Sequence, residues 1–161
     1  MNMEIRVHVL QLLEEYPERA RKISLLRYEL NHAGQISTNE MIETMALGHS
    51  DGNGHSDGRI SDKTLYIALN YQIRADKLNE EVKETIVTQL VDLEQKQSRL
   101  EYYVSLLEKR QAEVLRLGYF DCLPWEDVAP KLGVALRTVS KIKDRAINEL
   151  AAMYAFTQEL E

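Results

Sequence analysis

Residues 128–142 constrain this chain more than any other stretch. Val128, Leu132, Val134, Val139 and Ile142 are apolar, Ala129 is small, and Gly133 divides the run. Val128 and Leu132 lie four apart on one helical face, and Val139 and Ile142 lie three apart on a second. Gly133 admits a left-handed turn between them, which lets Val134 return to the shared interior. Ala129 stays small where the second helix must cross the first. All seven slots within fifteen residues suit a helix-turn-helix. Two ordinary helices packed about Gly133 would be the plainer alternative.

The flanks fit the same scheme. Residues 107–117 form a short amphipathic segment with Leu107, Val114, Leu115 and Leu117 inward, and Gly118 follows. Leu123-Pro124-Trp125-Glu126-Asp127 opens the next helix, with Pro at the start and two acids at the positive end of the helix dipole. After Gly133, a third helix is expected from Leu136 to about Met153. If Val139, Ile142 and Ala146 face inward, then Leu136, Arg137, Ser140, Lys141, Lys143 and Asp144 face out. The first turns of such a helix enter the major groove of DNA. Arg137 and Lys141, four apart, can reach base edges, with guanine O6 and N7 the natural targets. Lys143 and Arg145, with Lys131 and Arg116, suit phosphates. The expected DNA-binding set is Leu136, Arg137, Thr138, Ser140, Lys141, Lys143 and Arg145.

Charge supports a local rather than a global nucleic-acid site. The chain of 161 residues carries 20 Lys and Arg against 26 Asp and Glu, for a net charge of −6. That excludes coating of DNA by bulk charge. Residues 1–60 and 61–108 each hold 6 bases and 9 acids, while 109–161 hold 8 of each. Arg137, Lys141, Lys143 and Arg145 face only Asp144 in their stretch.

The rest of the chain looks helical. Few Pro and Gly, with abundant Leu, Glu, Lys, Ala and Gln, favour an all-α fold. Residues 1–33 form an N-terminal helical segment of two short helices that meet near Tyr16–Pro17. A Gly-rich segment at 34–62 follows as a polar linker. It contains Gly48-His49-Ser50-Asp51-Gly52 and Gly54-His55-Ser56-Asp57-Gly58. In calcium-loop register the closing acid is replaced by Thr64, so no metal is expected there. Residues 63–105 form a long amphipathic helix with a near-heptad stripe at Leu65, Leu69, Ile73, Leu78, Val82, Ile86, Leu90, Leu93 and Leu100. That stripe must be covered, either by a second copy in a coiled-coil homodimer or by Ile5–Leu30 folding back. Tyr102, Tyr103, Leu106 and Leu107 join this helix to the C-terminal unit at 106–153.

Residues 106 to 152 resemble region 4 of sigma-70-type sigma factors. The matching text is Leu107-Glu108-Lys109-Arg110-Gln111-Ala112-Glu113-Val114-Leu115, then Trp125-Glu126-Asp127-Val128-Ala129, Leu132-Gly133-Val134 and Arg137-Thr138-Val139-Ser140-Lys141-Ile142-Lys143, ending in Arg145-Ala146. The wider layout resembles small phage- and prophage-borne sigma-like regulators of Gram-positive bacteria, of the late-gene and autolysin-regulator type. The resemblance implies promoter DNA and RNA polymerase as partners. Ala135 stands where that family usually places a capping Ser or Thr, and Pro130 where an acid is usual. Gly118 replaces a frequent Arg, and Leu136-Arg137 replaces the polar pair that opens base recognition. A complete sigma factor also needs a basic, aromatic helix that melts DNA. None is legible in 61–108, so action alongside RNA polymerase is expected.

Other functions have less support. A phage DNA-packaging adaptor of the small-terminase kind also pairs a helix-turn-helix with an oligomerising helix, and a purely structural coiled coil is a third reading. Catalysis is not expected. His8, His32, His49 and His55 lie away from Cys122 in sequence, and neither a phosphate-cradling loop nor a nucleophile elbow is present. No cofactor is expected. The lone Cys122 reads as a small buried hydrophobe in a reducing compartment. With no secretory signal and no apolar run of membrane-spanning length, the expected location is cytoplasmic, away from membranes.

Overall fold

The computed structural model describes residues 3–32 and 62–160. Apart from Asp62, the Gly-rich segment with its repeated Gly-His-Ser-Asp-Gly lies outside them, and so do His49, His55 and the side chain of Leu65. The described residues are mostly helical, joined by short turns, and contain no strand, as the composition predicts. The helices are α1 (Met3–Glu14), α2 (Tyr16–His32), α3 (Asp62–Ser105), α4 (Lys109–Leu115), α5 (Trp125–Leu132) and α6 (Leu136–Gln158). A π-helical turn, Arg116–Phe120, follows α4 directly.

The chain divides into two compact units, Met1–Ser24 with Val91–Glu161, and Leu25–Leu90. The helices α2 and α3 both run across the boundary. Within the second unit Leu69, Ile73, Leu78 and Val82 are exposed, whereas Ala75 and Leu90 are buried. Tyr28 and His32 stack at 3.9 Å between ring centroids, one turn apart on α2.

The first unit joins the two ends of the chain in one core. Val9, Leu12 and Leu13 of α1 pack with Leu100 and Val104 of α3 and with Leu107. The same cluster takes in Ala112 and Leu115 of α4 and Ala146, Ile147, Leu150, Ala151 and Tyr154 of α6. Each fully buried Leu or Ile contributes about 1.5–3 kcal/mol of transfer free energy, so α1 is held by its three apolar side chains. Of the two covers weighed for the long stripe, folding back is realised at its C-terminal end. There the buried seam of α3 is Gln97, Leu100, Val104 and then Leu107, spaced 3, 4 and 3.

A polar member of that seam, Gln97, is explained by its partner. Arg19 of α2 is buried (5% exposed). Its Nη1 donates to the Leu12 carbonyl at 3.2 Å and to Gln97 Oε1 at 3.0 Å. Its Nη2 lies 3.7 Å from Glu15. The Gln97 amide donates onward to the Tyr16 carbonyl at 3.2 Å. Burying a guanidinium is costly unless it is paired and hydrogen-bonded, and this network engages both of its terminal nitrogens where α1 turns into α2. Pro17 sits in the first turn of α2, where its missing N–H costs nothing.

Candidate nucleic-acid interface

A second, smaller core builds the C-terminal unit. Val114, Val128, Ala129 and Val139 are buried together, and Leu117, Leu123, Trp125, Leu132, Val134 and Ile142 pack around them. All five apolar slots and the small Ala129 therefore face one interior. Gly133 has φ 66°, in the left-handed region. Its N–H bonds to the Pro130 carbonyl at 3.2 Å, and the Val134 N–H reaches back to Ala129 at 3.1 Å. This pair of bonds closes α5 in a Schellman motif and aims the chain into α6.

Three local features differ from expectation. The segment read as one helix through Leu117 changes at Arg116 into the π turn. There the Asp121 N–H bonds five residues back to Arg116 at 2.8 Å. Such an inserted residue rotates the side chains that follow. Cys122 is exposed rather than buried and takes a left-handed φ of 58°, with its thiol turned back towards the Tyr119 carbonyl. The cause is the sharp reversal between the π turn and Pro124. Finally, α6 runs on to Gln158, because Tyr154 joins the larger core beyond the expected end at Met153.

The two departures inside the motif are accommodated. Pro130 lies within α5, which still reaches Leu132. Ala135 opens α6 in an extended conformation with no side-chain cap. Only its carbonyl serves the first turn, accepting from Thr138 at 2.9 Å and Val139 at 3.1 Å.

On α6 the buried side is Val139, Ala146, Ile147 and Leu150. Leu136, Arg137, Ser140, Lys141, Asp144 and Arg145 are exposed, and Thr138 is half-buried. At 100° per residue, Arg137 and Lys141 share a face opposite the core. Lys143 is placed differently from the outward set. It is half-buried, with Nζ 4.7 Å from the centroid of the Trp125 ring. A cation held over an indole gains about 0.5–1 kcal/mol or more and is restricted in reach. Trp125 in turn stands edge-on to Tyr119, 5.3 Å between centroids. It also lies against Gly118, where any Cβ would run into the indole ring. This explains glycine at a position where the resembling family often carries Arg.

Sequence reasoning passed over this Gly118–Trp125–Lys143 stack, although both Gly118 and Trp125 stood out in the text. It also passed over Arg6. The Arg6 Nε donates to Asn148 Oδ1 at 3.0 Å, and Nη2 lies 3.6 Å from Asp144 Oδ1, so α1 reaches α6. The Tyr119 hydroxyl beside this pair is pushed up, by burial first and then by Glu14 and Asp144, with Arg6 opposing. Among the described residues no three His, Cys, Asp or Glu side chains converge as metal ligands. No described helix is long and apolar enough to cross a membrane.

A trihelical unit with a left-handed glycine turn and an exposed basic face on its last helix defines the class of DNA-binding helix-turn-helix domains. Residues 104–152 match the family model for Sigma-70, region 4. The C-terminal unit is thus a sigma-70 region 4-like helix-turn-helix. No curated protein and no solved structure matches the chain.

Proposed function

We propose that this protein is a sequence-specific, DNA-binding transcription regulator that works alongside RNA polymerase on phage or prophage genes. The observation that carries the reading is the pairing of Arg137 and Lys141 on the exposed face of α6, within the segment that matches region 4. Both can donate to guanine O6 and N7 in the major groove. Arg145 and the clamped Lys143 sit further round the same helix as phosphate contacts. The reading assigns no catalytic step and no cofactor. Leu69, Ile73, Leu78 and Val82, exposed on α3, support self-association through that helix, and mass by light scattering tests this part.

Selection of duplexes from random sequence, followed by footprinting, tests the main reading. Substituting Arg137→Ala together with Lys141→Ala should abolish the specific footprint while weak, salt-sensitive binding remains. An unchanged footprint overturns the assignment of α6. Promoter-specific initiation by core polymerase with this protein alone would overturn action alongside sigma.

A further inference from the structure

The pair of contacts made by Arg6 places an N-terminal residue on the exposed face of α6 that carries Arg137 and Lys141. On α6, Arg137, Lys141, Asp144 and Asn148 follow at intervals of four, three and four. At 100° per residue they fall in one stripe about 60° wide. Asp144 lies only about 4.5 Å further along the axis than Lys141. The Arg6 guanidinium, bonded to Asn148 and paired with Asp144, is therefore fixed on that stripe about one turn beyond Lys141.

Two physical facts give this placement a consequence. An aspartate on this stripe repels phosphates, and the pairing with Arg6 offsets that repulsion. A guanidinium also carries five N–H donors in a planar fork, more than Asn148 and Asp144 together consume. The Arg6 side chain remains 36% exposed, so donors are open to a ligand. Asn148 and Asp144 orient the fork, and the α1 core residues Val9, Leu12 and Leu13 hold its backbone still.

We propose that Arg6 is a DNA-backbone contact: α1 contributes a phosphate-binding arginine to the flank of the recognition helix, held in place by Asp144 and Asn148. This rests on the reading of α6 as the DNA-facing helix. The DNA-binding surface then includes both ends of the chain.

Binding of the full chain to a mixed-sequence 30-bp duplex, and to its selected site, is measured against salt concentration. Arg6→Gln should reduce the log–log salt slope by about 0.9 and weaken binding roughly fivefold to tenfold near 0.1 M salt on both duplexes. Arg6→Lys should retain the slope. If Arg6 acts only by cancelling Asp144, the double variant Arg6→Gln with Asp144→Asn regains the wild-type slope, and the proposal fails. An unchanged slope in Arg6→Gln also overturns it. Should Arg6→Gln not fold, an iron chelate tethered at Met3→Cys (Met3 is 80% exposed), in a Cys122→Ser background that removes the one native, exposed thiol, gives an independent measurement. Strand cleavage beside the selected site is expected, and its absence refutes the contact. Loss of the footprint in Arg137→Ala with Lys141→Ala reports on α6 separately, so failure of the underlying reading is distinguishable.

Discussion

Replacing Gly118 by Ala tests how tightly Trp125 of α5 is packed between the π turn and α6. The added Cβ would stand 2.9 Å from Cζ2 of Trp125 and closer still to two further ring carbons. Ordinary carbon contacts need about 3.5–4.0 Å, so the indole must move by roughly an ångström. Overpacking of this kind costs about 1–3 kcal/mol. Displacing the indole from under Lys143 forfeits about 0.5–1 kcal/mol more. Alanine returns about 0.5–1 kcal/mol, because glycine is the poorer residue in a helical segment. The net expectation is a loss of about 2 kcal/mol, or roughly 4–8 °C in Tm for a chain of this size. Trp125 is the single tryptophan, so its emission during urea unfolding reports on the site directly. The double variant Gly118→Ala with Trp125→Phe should recover part of the loss, since the smaller ring leaves room for the methyl. That cycle is followed by circular dichroism. A Gly118→Ala protein as stable as the wild type, with unchanged emission, would refute the close packing of indole on glycine.

Two further outcomes follow from the same structure. Ala135→Ser should supply the missing cap of α6 and raise stability by about 1 kcal/mol, read as a shifted urea midpoint with unchanged slope. Tyr154 is pushed up to about 12, chiefly by burial and then by Tyr103, and Tyr16 to about 12 by burial and its 2.6 Å hydrogen bond to Glu101. Both folded values exceed the unfolded value near 10, so their contribution is intact below pH 10 and is lost as pH rises towards 12. Melting curves across that range should show the decline, and Tyr154→Phe should flatten it. Because the Tyr154 hydroxyl is buried with no hydrogen-bond partner among the described residues, the same change should leave neutral-pH stability equal or about 1 kcal/mol higher. A marked loss would mean that the hydroxyl is bonded after all.

The helix-turn-helix was legible in the text because each of its requirements is local. Val128, Leu132, Val134, Val139 and Ile142 need only helical spacing, and Gly133 needs only its own φ, so fifteen residues suffice to specify them. The face of α6 follows from the same periodicity, which is why Arg137 and Lys141 could be singled out. Lys143 shows where periodicity stops. Its place on the helix is sequence-encoded, but its capture by Trp125 depends on how α5 crosses α6.

What the sequence by itself determined is the all-helical class, the helix-turn-helix and its basic helix. Tertiary structure alone decided what covers the C-terminal seam of the long helix and where α1 belongs. Leu100 and Val104 carry no mark of their partner, because apolar burial is non-directional and any apolar face would satisfy them. Val9, Leu12 and Leu13 meet them across about ninety residues of sequence, with Arg19 and Gln97 closing the polar gap between. That same packing brings Arg6 to Asp144 and Asn148. Arg6 gains a place beside α6 only through contacts between distant segments, which helical spacing cannot report.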